Sequence, residues 1–169
     1  MKRRNGYTLI ELVLVLMLLI LVSAAVFTMA SAGSRTYLRL AAKQAQSSDL
    51  RTGLSYLDVQ IRKHDAQAAL AIKPDPFSGQ PALVIEQQIE GQAYLTWIYL
   101  HDGYLCELFV TKGIKLTPDM GSKIVQMDGL ALKALSNDAL QVTLTRQAEG
   151  QARIQGTRIL HLYAGGVSP

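Results

Sequence analysis

The stretch that decides the reading of this chain is Gly6-Tyr7-Thr8-Leu9-Ile10-Glu11-Leu12, which runs on through Leu12–Val22 as LVLVLMLLILV. Between Arg4 and Arg35 the only charged side chain is Glu11, and the 23 residues from Leu12 to Ser34 carry no charge. At roughly 1.5 Å per residue they make about 35 Å of helix, enough to cross a hydrocarbon core of about 30 Å. After Val22 the run thins into Ser23, Ala24, Ala25, Thr28, Ala30, Ser31 and Ala32. Lys2, Arg3 and Arg4 stand just before it. The positive-inside rule therefore predicts a single-pass cell-membrane protein, its N-terminus cytoplasmic and everything after residue 34 extracytoplasmic.

Three readings compete for this segment. A plain membrane anchor needs only the apolar run. A secretory signal peptide would use the basic start and Ala30-Ser31-Ala32 as a small-x-small cleavage site. The third reading turns on Glu11. A carboxylate within an apolar span costs on the order of 2.5–3.5 kcal/mol at the helix centre and less near an end. Neither an anchor nor a signal peptide gains from that cost, so the charge points to function.

Gly6-Tyr7-Thr8-Leu9-Ile10-Glu11-Leu12 behind a short basic leader resembles the type IV prepilin and pseudopilin N-terminus. The likeness extends from about Gly6 to Ala30. It implies that a membrane peptidase, the prepilin peptidase, cuts after Gly6 and methylates the new N-terminus at Tyr7. Glu11 would then be fifth in the mature chain. Cleavage would create an α-amino group beside the apolar helix, with a pKa near 8 when unperturbed. That cation and the Glu11 carboxylate are each costly to bury alone and offset one another when paired. Pairing between neighbouring subunits would set axial register in a filament core, as one buried polar group does in coiled coils.

A narrower likeness lies in Thr96-Trp97-Ile98-Tyr99-Leu100-His101-Asp102-Gly103-Tyr104-Leu105-Cys106-Glu107-Leu108-Phe109. It is similar to an uncharacterised domain carried by pilin-like proteins of Gram-positive anaerobes. Arg51 to Ala66 resembles the post-membrane helix of minor pilins. The lone Cys106 departs from the paired cysteines that close the C-terminal loop in many major pilins of Gram-negative bacteria, which turns the reading toward a minor subunit.

Composition agrees with a membrane segment joined to a folded head. The chain has 169 residues, 49% of them hydrophobic and only 18% charged, which excludes intrinsic disorder. A single cysteine excludes a disulfide scaffold or a zinc site built on several thiolates. The net charge is +4, and Lys2, Arg3 and Arg4 carry three of those charges, leaving +1 elsewhere. A nucleic-acid binder would spread its basic patch over a domain face.

Beyond the membrane, Leu50, Leu54, Leu57 and Ile61 recur on one face of a helix, opposite Arg51, Ser55, Arg62 and Lys63. Tyr37, Leu38, Leu40, Ala41 and Ala45 keep a looser apolar stripe. Gly53 is expected to weaken the helix and mark a bend. Lys73-Pro74-Asp75-Pro76 stops it, so the helix is expected to run from Thr8 to about Leu70. Strands are expected at residues 82–85, 94–100, 104–111, 124–127, 130–135, 140–145 and 158–163. His101-Asp102-Gly103 is the clearest hairpin turn, with further turns at residues 136–138 and 149–151. Leu140, Val142 and Leu144 alternate with polar residues, as a half-buried strand does. The expected fold is α+β: a long N-terminal helix, transmembrane then amphipathic, packed against a C-terminal antiparallel β-sheet. Its parts are a leader (residues 1–6), a transmembrane and assembly helix (7–34), an amphipathic helix (35–72) and a β head (73–169).

Enzyme chemistry finds no foothold. His64, His101 and His161 lack metal-ligand spacing, and no HExxH, GxGxxG or phosphate loop occurs. Cys106 within a strand reads as a small buried side chain. Trp97, Tyr94, Tyr99 and Tyr104 read as cross-strand packing, with an exposed carbohydrate or partner surface as the alternative. No catalytic residue, cofactor or metal is assigned.

The reading is a non-enzymatic structural subunit, a minor pilin or pseudopilin, of a type IV pilus-like, secretion or competence filament. Its implied partners are the prepilin peptidase, other pilin-like subunits, an assembly-platform membrane protein and the lipid bilayer. The alternative is a membrane-tethered extracellular ligand- or DNA-binding module that does not polymerise. The low charge after the leader leaves DNA binding unsupported. A secreted hydrolase behind a signal peptide is a further alternative, disfavoured by the missing catalytic constellation.

Overall fold

The computed structural model describes residues 9–65, 69–136, 138–163 and 167–168. The chain divides into two units, Met1–Ala41 and Ala42–Pro169. One helix, α1 (Leu9–Lys63), contributes to both.

In the first unit every large aliphatic side chain from Leu9 to Val22 is more than half exposed. The described residues hold one helix long and apolar enough to cross a membrane, and this is its apolar stretch. The hydroxyls of Thr28 and Thr36 donate to the carbonyls of Ala25 and Ala32, at 2.8 and 3.0 Å. Hydroxyls bonded within their own helix can enter hydrocarbon at little cost.

In the second unit, α1 turns amphipathic where the leucine spacing predicted. Leu57 and Ile61 are fully buried, with Leu50 and Leu54 packed beside them. Arg51, Ser55, Arg62 and Lys63 face solvent. The helix stops at Lys63, seven residues before the expected Leu70. The Gln60 carbonyl in the last turn accepts the His64 amide at 3.2 Å, and the ring Nδ1 of His64 lies 2.9 Å from the same oxygen. Leu70 to Ile72, expected within the amphipathic helix, belong instead to strand β1 (Leu70–Pro74). Pairing with the next strand gives this segment a full ladder that an isolated last helical turn could not match.

The strands that follow are β2 (Pro81–Ile89), β3 (Gln92–His101), β4 (Tyr104–Thr111) and β5 (Ser122–Gln126). Then come β6 (Gly129–Ser136), β7 (Ala139–Arg146), β8 (Ile154–His161) and the short β9 (Val167–Ser168). They form two sheets where one was expected. The larger has the order β5-β4-β3-β2-β1-β9, and the smaller is β6-β7-β8. All pairings are antiparallel except β1 with β9, which is parallel. The β2–β3 and β3–β4 hairpins turn on Glu90-Gly91 and Asp102-Gly103, each pair with both φ positive, as a two-residue type I′ turn requires.

Ala82, Leu83, Val84 and Ile85 are buried one after another, so both faces of β2 are covered. On one face Leu83, Ile85, Ile98 and Leu105 join Leu57 and Ile61 of the helix and Leu140, Val142 and Leu144 of the small sheet in one core. On the other, Ala82, Tyr99, Cys106, Leu108 and Val110 form a second cluster with Phe77, Trp97 and Leu116.

Gly53 marks a close approach, and α1 continues through it unbroken. A Cβ there would lie 2.8 Å from Leu144 Cδ1 and 3.0 Å from Met127 Cε. Gly156 of β8 plays the reciprocal part, since a Cβ on it would meet Leu54 Cδ1 at 2.8 Å and would crowd Leu50 still more closely. Two missing side chains thus let helix and small sheet pack closely.

Candidate functional site

Of the three residues singled out for processing and assembly, Gly6 and Tyr7 lie outside the described residues. Glu11 lies in the first turn of α1 as described, exposed among exposed leucines and valines. Among the described residues it has no hydrogen-bond or ion-pair partner. A lone carboxylate on a surface otherwise suited to lipid is a group awaiting a cation.

The second unit holds three polar constellations, two of which tie the helix to strands. The largest centres on Arg146 at the end of β7, whose side chain is 13% exposed. Its Nε donates to Asp49 of α1 at 3.1 Å and its Nη1 to Asp128 at 3.1 Å, while Nη2 donates to Gln126 of β5. Burial alone would favour loss of its proton, but the bonds to Asp49 and Asp128 hold its pKa above the ordinary value. Beside it Gln46, 1% exposed, donates through Nε2 to the carbonyls of Arg146 and Ala152, at 2.7 and 2.9 Å. Sequence reasoning missed Arg146, Gln46 and Gly156, because each acts through partners about a hundred residues away or across a packed face and leaves no local pattern.

Glu107 of β4, on the face opposite Cys106 and Leu108, meets α1 by accepting from Gln60 Nε2 at 3.2 Å. Burial, then a hydrogen bond to Glu107, raises the Tyr56 phenol well above its ordinary range. The third constellation orders residues 75–80. Asp75, 3% exposed, accepts at Oδ1 from the amides of Phe77 and Ser78, at 2.7 and 2.8 Å, and at Oδ2 from the Ser78 hydroxyl. Burial works to raise this carboxyl, but those bonds hold it below the usual value.

The aromatic cluster divides. Trp97, Tyr99 and Tyr104 share one face of the large sheet, whereas Tyr94 lies on the opposite face and stacks on Phe109, centroids 5.1 Å apart. Tyr99 donates to the Pro118 carbonyl at 2.7 Å, and burial pushes its phenol up to about 12. The Cys106 thiol is buried and its pKa is raised by desolvation, the setting of an inert side chain. Among the described residues, no three His, Cys, Asp or Glu side chains are placed to hold a metal ion.

A single apolar helix carrying one acid, continuing into an α+β head, is the build of a pilin-like protein. Residues 1–27 match the model of the prokaryotic N-terminal methylation motif, which makes this N-terminus a substrate of prepilin peptidase and the helix a single membrane anchor. Residues 48–147, more than half of the chain, match the model described as domain of unknown function DUF4860, and the chain belongs to that family. No curated protein and no solved structure gives a significant match.

Proposed function

We propose that the chain is a minor pilin or pseudopilin, a structural subunit of a type IV pilus-like, secretion or competence filament. In this reading residues 1–6 are the leader, cleavage follows Gly6, and Tyr7 becomes the methylated N-terminus. The helix holds the subunit in the membrane, with the head extracytoplasmic, until an assembly-platform protein passes it to a filament of sister subunits. Glu11 then meets the Tyr7 amine of a neighbour.

Glu11 carries the reading. It is one unpartnered carboxylate, among the described residues, on a stretch of helix whose large aliphatic residues from Leu9 to Val22 are all more than half exposed. Such a surface suits lipid first and neighbouring apolar helices afterwards, and in both the charge needs a counter-ion. N-terminal mass spectrometry of the mature protein should find a methylated Tyr7. Glu11→Ala should be inserted and cleaved normally yet absent from sheared filaments. Normal incorporation of that variant would overturn the assembly role.

A further inference from the structure

Past the end of α1, the last helical turn and strands β2–β4 enclose an open groove of about 280 Å³. Phe109 and Ile89 form its apolar part, 52% and 42% exposed in a sheet whose other large side chains are mostly buried. Tyr94 stacks almost parallel against Phe109, with 5° between the planes, and braces that ring. The remaining lining is polar: Gln60 and Lys63 from the helix, His64 just past its end, Gln87 from β2, Thr96 from β3 and Glu107 from β4.

These groups suit one class of ligand. Gln60 spends both amide hydrogens on Tyr56 and Glu107 and offers its carbonyl oxygen, Gln87 offers its carbonyl and the N–H not directed at Thr96, the carboxylate accepts and the ammonium donates. Glu107 uses part of its accepting capacity on Gln60 and Tyr56; a carboxylate has about four lone-pair sites in all. Among the described residues Lys63 has no ion-pair partner. One acid and one base balance, so the groove does not select a phosphate, and its polarity does not suit an acyl chain. A rigid aromatic platform beside hydrogen-bonding groups of both senses fits a ring that is polyhydroxylated at its edge and carries C–H groups on its face.

We propose that this groove binds a neutral saccharide, with Phe109 as the stacking platform and Gln60, Gln87 and Glu107 as its hydrogen-bonding partners. Binding depends on the groove alone. Only the expectation that the sugar is met outside the cell rests on the function proposed above.

The test is an amide chemical-shift titration of the full chain in micelles of a detergent without a sugar headgroup. The probes are maltotetraose, cellotetraose and chitotetraose, with inorganic phosphate as a control. At least one saccharide should shift Gln87, Glu107 and Phe109, with a dissociation constant on the order of 1 mM, as expected for a shallow site. Phe109→Ala, at a half-exposed position, should weaken binding at least about tenfold, and Gln87→Ala about threefold, with melting temperatures unchanged. The proposal is overturned if no saccharide shifts these amides at about 10 mM, a concentration that would half-saturate a site about tenfold weaker than expected. It is also overturned if phosphate alone shifts them, if both variants bind as the parent does, or if the same amides respond only to protein concentration, which would mark a contact between copies. Because no filament is needed, failure here leaves the assembly reading standing, and failure of filament incorporation leaves this one.

Discussion

Replacing Gly53 by alanine sets two effects of known sign against each other. Alanine favours an interior helical position over glycine by about 1 kcal/mol, so an open site would be stabilised. Here the new Cβ falls 2.8 Å from Leu144 Cδ1, 3.0 Å from Met127 Cε and 3.5 Å from Val125 Cγ1. Leu144 and Met127 are fully buried, so neither can retreat without disturbing its own neighbours. Extra methyl volume in a packed core costs roughly 1–3 kcal/mol. The steric term should win, for a net loss of about 1 kcal/mol and a fall of about 4 °C in melting temperature for a head of this size. Fluorescence of Trp97, the single tryptophan, reports unfolding of the head. The decisive arm is the double variant with Leu144→Ala, which removes the obstructing methyl. In that background Gly53→Ala should be neutral or stabilising, a coupling of about 1 kcal/mol or more. A higher melting temperature for Gly53→Ala alone, or no coupling, would refute the close-packing argument.

Three further outcomes follow from the same structure. Leu57→Ala removes a fully buried side chain at the junction of helix and sheets, and should cost about 2–5 kcal/mol by chemical denaturation. Arg146→Lys keeps the charge but cannot reach Asp49, Asp128 and Gln126 together; a loss of about 2 kcal/mol is expected, intermediate between exposed and buried pairs, and a cycle with Asp49→Asn should show coupling. Asp75 has a depressed carboxyl pKa in the folded head, so its stabilising contribution is present above the unfolded value near 3.9 and is lost as pH falls through the lower folded value. Stability measured across that acid range should therefore fall less steeply for Asp75→Asn than for the parent, and equal slopes would contradict the role given to the loop.

Much of the molecule was legible because its signals are local. Leu57 and Ile61 needed only helical spacing to declare the buried face, and Leu140, Val142 and Leu144 only alternation. Asp102-Gly103 announced its turn by composition, whereas Glu90-Gly91 did not, since glutamate is a poor choice at a positive φ and the turn is held there by the strands it joins. The end of α1 was misplaced because Leu70 and Ile72 continue an apolar pattern that suits either a helix or a strand, and a partner strand decides between them. Gly53 has the same symbol in a sequence whether it loosens a helix or admits a neighbour. The groove beside Phe109 was invisible, since it is assembled from α1, β2, β3 and β4.

What the chain order determined alone is the membrane end: a basic start, an acid and a long uncharged run need no tertiary partner, because the solvent they address is the bilayer and its energetics apply residue by residue. What the tertiary structure decided is the head. The division into two sheets, the placing of Arg146 against Asp49 and Asp128 and the bond from Gln60 to Glu107 join residues from about 20 to 100 positions apart. Packing and desolvation act between such groups only after the chain has folded, so no short window of sequence records them.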